Sequence, residues 1–281
     1  MGHSGTTLFQ DRVPLYKARA KSDRSRRTVS LDYDGIERNF SMAVALSVVV
    51  PVKDEAENIG PLAREIAAAV AGQGEAEIIF VDDGSTDSTA RVLHALKSEL
   101  PSLRVISHAD NVGQSRAIRT GVRAARGDII VTLDGDGQND PADIPKLLDD
   151  LKRGEASLGL VSGVRAKRRD TASRRLASRL ANAIRQGLLH DGAVDSGCGL
   201  KAFKREAFLS LPYFDHLHRF LITMMIREGY KVQFVDVNHR PRLHGQSKYT
   251  NFNRMLVGIN DLLGVRWLQK RMRKLTDAKE L

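Results

Sequence analysis

Cysteine is almost missing from this sequence of 281 residues, in which Cys198 stands alone. One thiol forms no intramolecular disulfide and builds no cysteine-based metal site. The eight histidines do not replace it, because no two have the His-x-x-x-His or His-Glu-x-x-His spacing of a zinc centre. These absences exclude a disulfide scaffold, argue against zinc and indicate a reducing compartment, by default the cytosol.

Long apolar runs and aromatic residues are also scarce. The longest run, residues 40–52, is shorter than a membrane span and is interpreted as a buried strand with its lead-in. We therefore expect that the chain does not cross a bilayer on its own. Aromatic residues make up 5% of the chain and do not alternate with basic ones, which argues against a nucleic-acid-binding protein.

Acidic residues are outnumbered, since 44 Lys and Arg against 34 Asp and Glu give a net charge of +10 and a pI near 9.9. An excess of this size points to an anionic partner, either nucleic acid, a membrane face or a phosphorylated substrate. Composition alone does not choose among them. The hydrophobic content of 42% is ordinary for a soluble globular protein.

The charge and hydropathy patterns divide the chain into three parts. Residues 1–41 contain eight Lys/Arg and five Asp/Glu without sustained periodicity, which predicts a disordered basic tail, with Met42 as an alternative start. Residues 42–240 are predicted to form one large domain. Residues 241–281 begin as a polar, glycine-containing loop and end in a helix with Trp267 beside basic residues, the composition of an amphipathic helix at a lipid interface.

Strand and helix patterns alternate between residues 45 and 163. The predicted strands, separated by helices, are ALSVVVPV, EIIFVDDGS, LRVISH and DIIVTLDGDG. The helix after the second strand is predicted to be capped by Ser85 or Thr86. Near-continuous apolar strands separated by helices indicate an α/β protein with a Rossmann-like, mostly parallel sheet that is flanked by helices on both faces.

Polar side chains follow three of these strands. They are Lys53, Asp54 and Glu55 after the first strand, Asp82 and Asp83 after the second, and Asp134 and Asp136 after the fourth. Because ligands bind at the carboxyl ends of the strands in such sheets, we expect the three clusters to converge on one crevice. A turn or a helix cap explains each cluster alone equally well, but three together favour a binding site.

The stretch VTLDGDGQNDP, residues 131–141, places two aspartates on either side of one glycine. Carboxylate oxygens in such a turn suit Mg²⁺ or Mn²⁺, hard cations that can also hold a diphosphate. Asp136 and the amide of Gln138 are the predicted ligands, with Asp134 nearer the nucleotide ribose or holding the waters of the metal. The alternative is an acidic β-turn, because Asp and Gly are common turn formers.

Residues 164–187 contain eight Arg or Lys and a single acid, while Leu176, Leu180, Ile184 and Leu188 recur at every fourth position. This pattern predicts a basic amphipathic helix at an anionic membrane surface, with a solvated helix face as the alternative. About 1 kcal/mol for each basic residue near anionic lipid would suffice for peripheral attachment.

Several motifs resemble, in order, those of a family 2 glycosyltransferase with the GT-A fold: VVVPVKDEAENI, VDDGSTDST, NVGQSRAIRTGVRAARGDIIVTLDGDGQNDP and DSGCGLKAFKRE. More narrowly they resemble the branch that makes polyprenyl-phosphate sugars, the relatives of dolichol-phosphate mannose synthase. The resemblance covers roughly residues 44–267, and it implies that residues 42–240 are a GT-A domain followed by a closing loop and interface helix.

The resemblance also implies roles for individual residues. The nucleotide-sugar would contact Pro51, Lys53, Asp54, Glu55, Asp82, Asp83, Gly113, Asp134 and Lys248, of which Lys248 would close over the diphosphate. The metal would be surrounded by Asp134, Asp136 and Gln138, with Asp136 counted as catalytic. The phosphate of the lipid acceptor would be held by Arg165, Arg174 and Ser178, near the second catalytic candidate, Asp195.

Two features depart from the family pattern. Gly137 replaces the leucine usual between the second aspartate and the glutamine, which keeps the ligand spacing and frees the turn. The C-terminal membrane spans common in the family are not found in the sequence, so anchoring is expected from amphipathic helices or from a multi-span membrane protein.

Asp195 has more than one chemically reasonable role. A polyprenyl phosphate is already ionised near neutral pH, since the second pKa of a phosphate monoester is about 6. The acceptor therefore needs no strong base, and Asp195 either orients the sugar or acceptor or acts as a base. A turn or helix-cap aspartate is the structural alternative.

The predicted function is inverting, metal-dependent transfer of a sugar from a nucleotide diphosphate to a polyprenyl phosphate, at the cytoplasmic face of the plasma membrane, for envelope polysaccharide or lipopolysaccharide modification. A UDP-sugar is the preferred donor, and UDP-galacturonate would suit the cationic pocket; GDP-mannose is the alternative. Three other classes are considered: a non-catalytic membrane-recruited scaffold, a nucleic-acid binder, and a transferase with a saccharide or protein acceptor. The presence of Asp134, Asp136 and Gln138 argues against the scaffold.

Overall fold

Seven strands form one sheet in the part of the chain that this computed structural model describes, residues 44–165, 183–242 and 251–272. In chain order the strands are β1 (Leu46–Val52), β2 (Ala76–Asp83), β3 (Leu103–His108), β4 (Ile129–Thr132), β5 (Leu158–Arg165), β6 (Lys201–Lys204) and β7 (Lys231–Val237). Their order across the sheet is β3-β2-β1-β4-β6-β5-β7, and only β6 is antiparallel to its neighbours in this described sheet. The predicted mostly parallel α/β sheet is confirmed, and β6 and β7 extend it beyond residue 163.

Helices cover both faces of the sheet. They are α1 (Ile59–Val70), α2 (Thr89–Glu99), α3 (Gln114–Ala124), α4 (Ile144–Arg153), α5 (183–189), α6 (Arg205–Ser210), α7 (Leu221–Arg227) and α8 (Asn251–Arg271). Helices α1, α2 and α4 pack on one face, and α3, α6, α7 and α8 on the other. Val48 and Val50 of β1 belong to the first core and Val49 to the second, because successive side chains of a strand point to opposite faces. Burial on both faces explains the nearly continuous apolar run of β1, in which Ser47 is the one polar residue.

Two glycines, one before α3 and one near its end, position this helix so that its first turn lies at the carboxyl edge of the sheet. A Cβ at Gly121 would collide with the side chain of Val49 in β1, so glycine lets the helix lie close to the sheet. Gly113 precedes the helix with a φ of 92°, a positive value that favours glycine. The side chains of Gln114 and Ser115 consequently reach the ends of β1 and β4.

The cap predicted for α2 at Ser85 or Thr86 is wrong. The helix begins at Thr89, and the preceding Ser88 makes no side-chain capping hydrogen bond. Ser85 and Thr86 bond instead to Asp54, because the loop after β2 packs beside the loop after β1. Their polar atoms therefore join two loops rather than ending a helix.

The basic helix predicted over residues 164–187 is wrong at its first two positions, which are the last residues of β5. Its last residues, 183–187, belong to α5. Residues 166–182 lie outside the described residues, and so does the tail predicted over residues 1–41.

The C-terminal helix α8 has one buried and one exposed apolar side. Leu262, Val265 and Leu268 pack against the core, whereas Leu263 and Trp267 are 58% and 57% exposed. Within the described ranges, no helix combines the length and the apolar character needed to cross a bilayer.

Candidate active site

A cleft of about 390 Å³ opens at the carboxyl edge of β1, β2 and β4. Seven residues predicted to bind the donor or the metal line this cleft: Pro51, Lys53, Glu55, Asp83, Gly113, Asp134 and Asp136. Three other predicted donor or metal residues do not line it, Asp54, Asp82 and Gln138, and neither do Arg165, predicted for the acceptor phosphate, and Asp195, predicted for catalysis. The cleft thus brings together side chains from all three strand ends, where open α/β sheets hold their ligands.

Asp83 is held mainly by backbone donors. Its carboxylate accepts hydrogen bonds from the backbone N–H groups of Val112, at 3.0 Å, and Gly113, at 2.8 Å, and lies 2.9 Å from Nδ1 of His108. Asp82 is buried, and its carboxylate accepts a backbone N–H of the following loop at 3.0 Å. Both aspartates therefore fix the loops around the end of β2, and only Asp83 lines the cleft.

Lys53 and Asp54 join the loop after β1 to the loop after β2. Nζ of Lys53 donates to the carbonyl oxygen of Gly84 at 2.8 Å. The backbone N–H of Thr86 donates to Oδ1 of Asp54 at 2.7 Å, and the N–H of Asp54 donates to Oγ of Ser85 at 2.9 Å. These bonds set the cleft wall that carries Lys53.

Asp134 lines the cleft from the tight turn after β4. Nε2 of Gln114 donates to its Oδ1 at 2.8 Å, and its carboxylate packs on Gly199, where any Cβ would collide with it. Burial, and next the charge of Asp136, raises the pKa of Asp134 to about 6. Negative charge is thus crowded at this turn, and a bound cation would relieve it.

Asp136 already has a cationic partner. A guanidinium nitrogen of Arg242 lies 2.5 Å from its Oδ2, and the backbone N–H of Gln138 donates to its Oδ1 at 3.1 Å. Gln138 does not line the cleft, and its Nε2 donates to the carbonyl oxygen of Arg240 at 3.4 Å. Gly137 has a φ of 73°, a left-handed conformation that disfavours leucine, so its departure from the family pattern has a conformational reason.

Asp195 forms a two-pronged ion pair with Arg165. Nε and one terminal nitrogen of Arg165 each donate to the carboxylate at 2.7 Å, and both side chains are largely buried. Burial acts to lower the pKa of Arg165, but the hydrogen bonds and charge of Asp195 outweigh it and raise the pKa. The candidates for catalysis and for acceptor binding are therefore partners in one contact, beside Ser196 and Gly197 of the cleft wall.

The sequence analysis missed several cleft residues, among them Gln114 and Arg242, described above, and Ser115, Lys201 and His218. Oγ of Ser115 lies 2.7 Å from Nδ1 of His218. Burial, helped by the charge of Lys201, lowers the pKa of His218 to about 3, so the imidazole is neutral at neutral pH. Lys201 lies within the motif DSGCGLKAFKRE, but a single lysine in a strand has no partner at a recognisable spacing.

Arg174, Ser178 and Lys248 lie outside the described residues, and their roles stay predictions. In the ranges that the structure covers, no group of three or more His, Cys, Asp or Glu could hold a metal. Asp134 and Asp136 offer carboxylate oxygens only, which suits Mg²⁺ or Mn²⁺ if ligand and water oxygens complete the shell.

A mostly parallel α/β sheet whose fourth strand ends in two cleft-lining aspartates is the arrangement expected of a GT-A-type glycosyltransferase. The model of the family described as glycosyl transferase family 2 matches residues 47–211, and the chain belongs to this family. The predicted enzyme class is confirmed.

Two curated relatives carry the family resemblance further. The chain is 35% identical over 235 residues to a dodecaprenyl-phosphate galacturonate synthase from Rhizobium johnstonii, covering 81% of this chain and 68% of the relative. It is 32% identical over 214 residues to an undecaprenyl-phosphate 4-deoxy-4-formamido-L-arabinose transferase from Edwardsiella ictaluri, covering 75% and 65%. The chain therefore spans about two thirds of the length of these relatives, and the resemblance to the polyprenyl-phosphate branch is confirmed.

Solved structures share the fold at lower identity. The chain matches glucosyl-3-phosphoglycerate synthase from Mycobacterium tuberculosis, crystallised with Mn²⁺, UDP-glucose and glycerol 3-phosphate, with a TM-score of 0.60 and 21% identity over 82% of this chain and 81% of that one. It matches a mannosyltransferase from Pyrobaculum calidifontis, in complex with GDP-mannose and Mn²⁺, with a TM-score of 0.59 and 19% identity over 83% and 65%. At these identities the likeness supports the GT-A fold alone.

Proposed function

We propose that this glycosyltransferase moves a sugar from a nucleotide diphosphate, with UDP preferred, to a polyprenyl phosphate. The observation that carries the proposal is the pair Asp134 and Asp136 in the cleft, in a chain whose curated relatives are named for this kind of transfer. The product would serve envelope polysaccharide or lipopolysaccharide modification.

The nucleotide end of the donor is assigned to the β1–β2 side of the cleft. Asp83 uses three of its roughly four acceptor positions on protein donors, which leaves a fixed carboxylate oxygen for a ribose hydroxyl. Glu55 and Lys53 line the same wall and supply a further acceptor and a cation. We assign the diphosphate to the neighbouring turn after β4, where Arg242 already contacts a carboxylate.

A divalent cation fits that turn. The raised pKa of Asp134 reports crowded negative charge, and Asp136 holds a cationic group at 2.5 Å. When bound, Mg²⁺ or Mn²⁺ would neutralise the charge that the leaving diphosphate takes up. Asp134 and Asp136 would hold the ion, and Gln138 would add its amide oxygen, while its Nε2 bonds to the carbonyl oxygen of Arg240.

The acceptor phosphate is assigned to the side of the cleft near Arg165, together with Arg174 and Ser178. A phosphate oxygen would attack the anomeric carbon as the bond to the diphosphate breaks on the opposite side, which inverts the configuration. The acceptor has no proton to lose above pH about 6, so Asp195 would act by holding Arg165 in place. Positioning of two anions that repel each other is then the main task of the protein.

The reaction would take place at an anionic membrane surface, the cytoplasmic face of the plasma membrane. On α8, Ile259, Leu263 and Trp267 are exposed at four-residue intervals, and the guanidinium of Arg271 lies 5.5 Å from the ring centre of Trp267. An exposed apolar stripe with a cationic edge is typical of an interfacial helix.

In the proposed reaction, each part of the chain has its own function. Residues 42–240 would hold the donor and the acceptor headgroup, and residues 241–281 would close the cleft and contact the bilayer. A multi-span membrane protein is proposed as a further partner.

The proposal is tested by incubating the protein with undecaprenyl phosphate in anionic vesicles and a panel of donors that includes UDP-galacturonate, UDP-glucose and GDP-mannose. We expect a lipid-linked sugar, detected by mass, that depends on Mg²⁺ or Mn²⁺. Release of free sugar or transfer to protein without lipid product would contradict the proposal. If only GDP-mannose gives a lipid-linked product, the proposed reaction is supported and the proposed UDP-sugar donor is wrong.

A further inference from the structure

Lys201 is a buried lysine on the floor of the cleft. It is 5% exposed and begins β6, where it pairs in register with Thr132, the last residue of β4. This register places it two residues below Asp134, deeper in the sheet than the metal-binding turn. It lines the same cleft as Asp134.

The ammonium group of Lys201 is poorly compensated by the protein. Its Nζ donates to the carbonyl oxygen of Cys198, and no other hydrogen-bond acceptor for it is found among the described residues. An ammonium has three donors, so two are left for a ligand. None of the ion pairs that the described residues form includes Lys201. Arg165 differs in this respect, because Asp195 neutralises it at 2.7 Å.

Burial of an uncompensated charge is costly, and Lys201 bears this cost. Burial lowers the pKa of its ammonium, although the charges of Asp134 and Asp195 act in the opposite direction. Retention of a cation here is understandable if an anionic ligand supplies the missing partner.

The surroundings of Lys201 indicate which part of a donor reaches it. The same cleft lining includes the neutral His218, the apolar Phe208, Leu217 and Leu221, and one further cation, Arg219. Arg242, by contrast, lies at the turn after β4, beside the carboxylate of Asp136. The diphosphate is assigned to that turn, so the floor faces the sugar.

We propose that Lys201 binds a carboxylate carried by the transferred sugar and thereby selects a uronic acid donor. The inference rests on the proposed function and deepens it, because it assigns the choice of sugar to one side chain. The neutral His218 and Ser115 pair beside it would hydrogen-bond sugar hydroxyls without adding charge.

The test compares two donors that differ only at the sixth carbon, UDP-galacturonate and UDP-galactose, on wild type and on Lys201→Met and Lys201→Gln. For the wild type we expect a clear preference for the uronate. Both variants should lose about 100-fold or more in kcat/KM with UDP-galacturonate, because the charge-assisted bonds to the carboxylate are gone. Their kcat/KM with UDP-galactose should change by less than about 3-fold, since that donor brings no charge to the floor.

Two controls separate selection from general damage. Lys201→Met should raise the Tm of the ligand-free protein, because it removes a buried and poorly paired charge. Lys53→Gln changes another cleft lysine, on the nucleotide side, and should lower kcat/KM for both donors by the same factor. Equal losses of kcat/KM with both donors in the Lys201 variants would leave the preference for the uronate unchanged and would overturn the inference. Lys201 would then be assigned to diphosphate binding or to the stability of the fold.

A binding measurement keeps the inference separate from the proposed function. Galacturonic acid 1-phosphate and galactose 1-phosphate are titrated into wild type and Lys201→Met with Mn²⁺ and without acceptor. Tighter binding of the uronate that Lys201→Met abolishes supports the inference even if no lipid product forms. Equal binding of the two sugar phosphates to wild type overturns it, even if transfer from a neutral donor succeeds.

Discussion

The ends of β2 and β4 each carry two aspartates, and the two pairs are held by different kinds of donor. Asp82 and Asp83 accept hydrogen bonds mainly from backbone N–H groups. Asp134 and Asp136 are bonded by long side chains, from Gln114 and Arg242, with one backbone N–H on Asp136. Backbone donors in a folded loop stay in place, whereas long side chains can give way to a ligand. The same sequence feature thus builds a fixed wall at one strand and an exchangeable site at the other.

The largest effect is expected from Asp136. Asp136→Asn keeps the shape of the side chain and removes the charge that would hold the cation, so kcat/KM should fall by about 1,000-fold or more. Transfer is measured with the lipid assay above, and the Tm shows that the fold is kept. Activity of the variant within about tenfold of wild type would show that Asp136 does not hold the metal.

Asp83 should give the contrasting result, a loss of stability. Asp83→Ala leaves the N–H group of Val112 without its acceptor, leaves that of Gly113 with only the side chain of Asn111, and removes the contact between the end of β2 and the start of α3. We expect the free energy of unfolding to fall by about 2 to 4 kcal/mol, measured in urea. A fall in the free energy of unfolding as small as that of an alanine substitution at an exposed site would contradict this prediction. It would show that the bonds to Asp83 can be given up as readily as those to Asp134 and Asp136.

Asp134→Asn should instead stabilise the metal-free protein. The folded pKa of about 6 lies above the ordinary value of 3.8, so the folded protein binds this proton more tightly, and its stability falls as pH rises from about 4 to about 6. The asparagine removes this penalty, and we expect a gain of about 1 to 3 kcal/mol at pH about 8 that disappears near pH 4. Urea unfolding of both proteins at the two pH values measures it, and a pH-independent difference would assign the effect to packing.

Arg242 offers the smallest expected effect. The guanidinium occupies Oδ2 of Asp136, so a cation at the same carboxylate must compete with it. Arg242→Gln should strengthen Mn²⁺ binding to the donor-free protein by several fold, about 1 kcal/mol, as measured by titration calorimetry. Weaker Mn²⁺ binding would mean that Arg242 helps to assemble the turn.

The strand and helix order was predictable because buried parallel strands are apolar on both faces, as β1 illustrates with Val48 and Val49. Strand-end acids were predictable as a group, since one edge of such a sheet binds ligands. Their individual partners were not. The bond between Arg165 and Asp195 joins residues thirty positions apart, and hydropathy periodicity has no information on such contacts.

Lys201 could not be recognised from sequence for a related reason. It reaches the cleft only because β6 inserts between β4 and β5 with reversed direction, and a short apolar run does not reveal its place in a sheet. The turn at Gly137 is a similar case, because the sequence suggests added freedom where the structure has a required left-handed residue.

The insertion of β6 also means that the cleft is assembled from two stretches that are far apart in the chain. The aspartates after β4 and the lysine that opens β6 are separated by more than sixty positions, yet they line one cleft. With the roles proposed above, the metal site and the choice of sugar depend on different segments of the chain. A designer following this inference would change position 201 to alter which sugar is accepted and keep Gly199, because a side chain there would collide with Asp134.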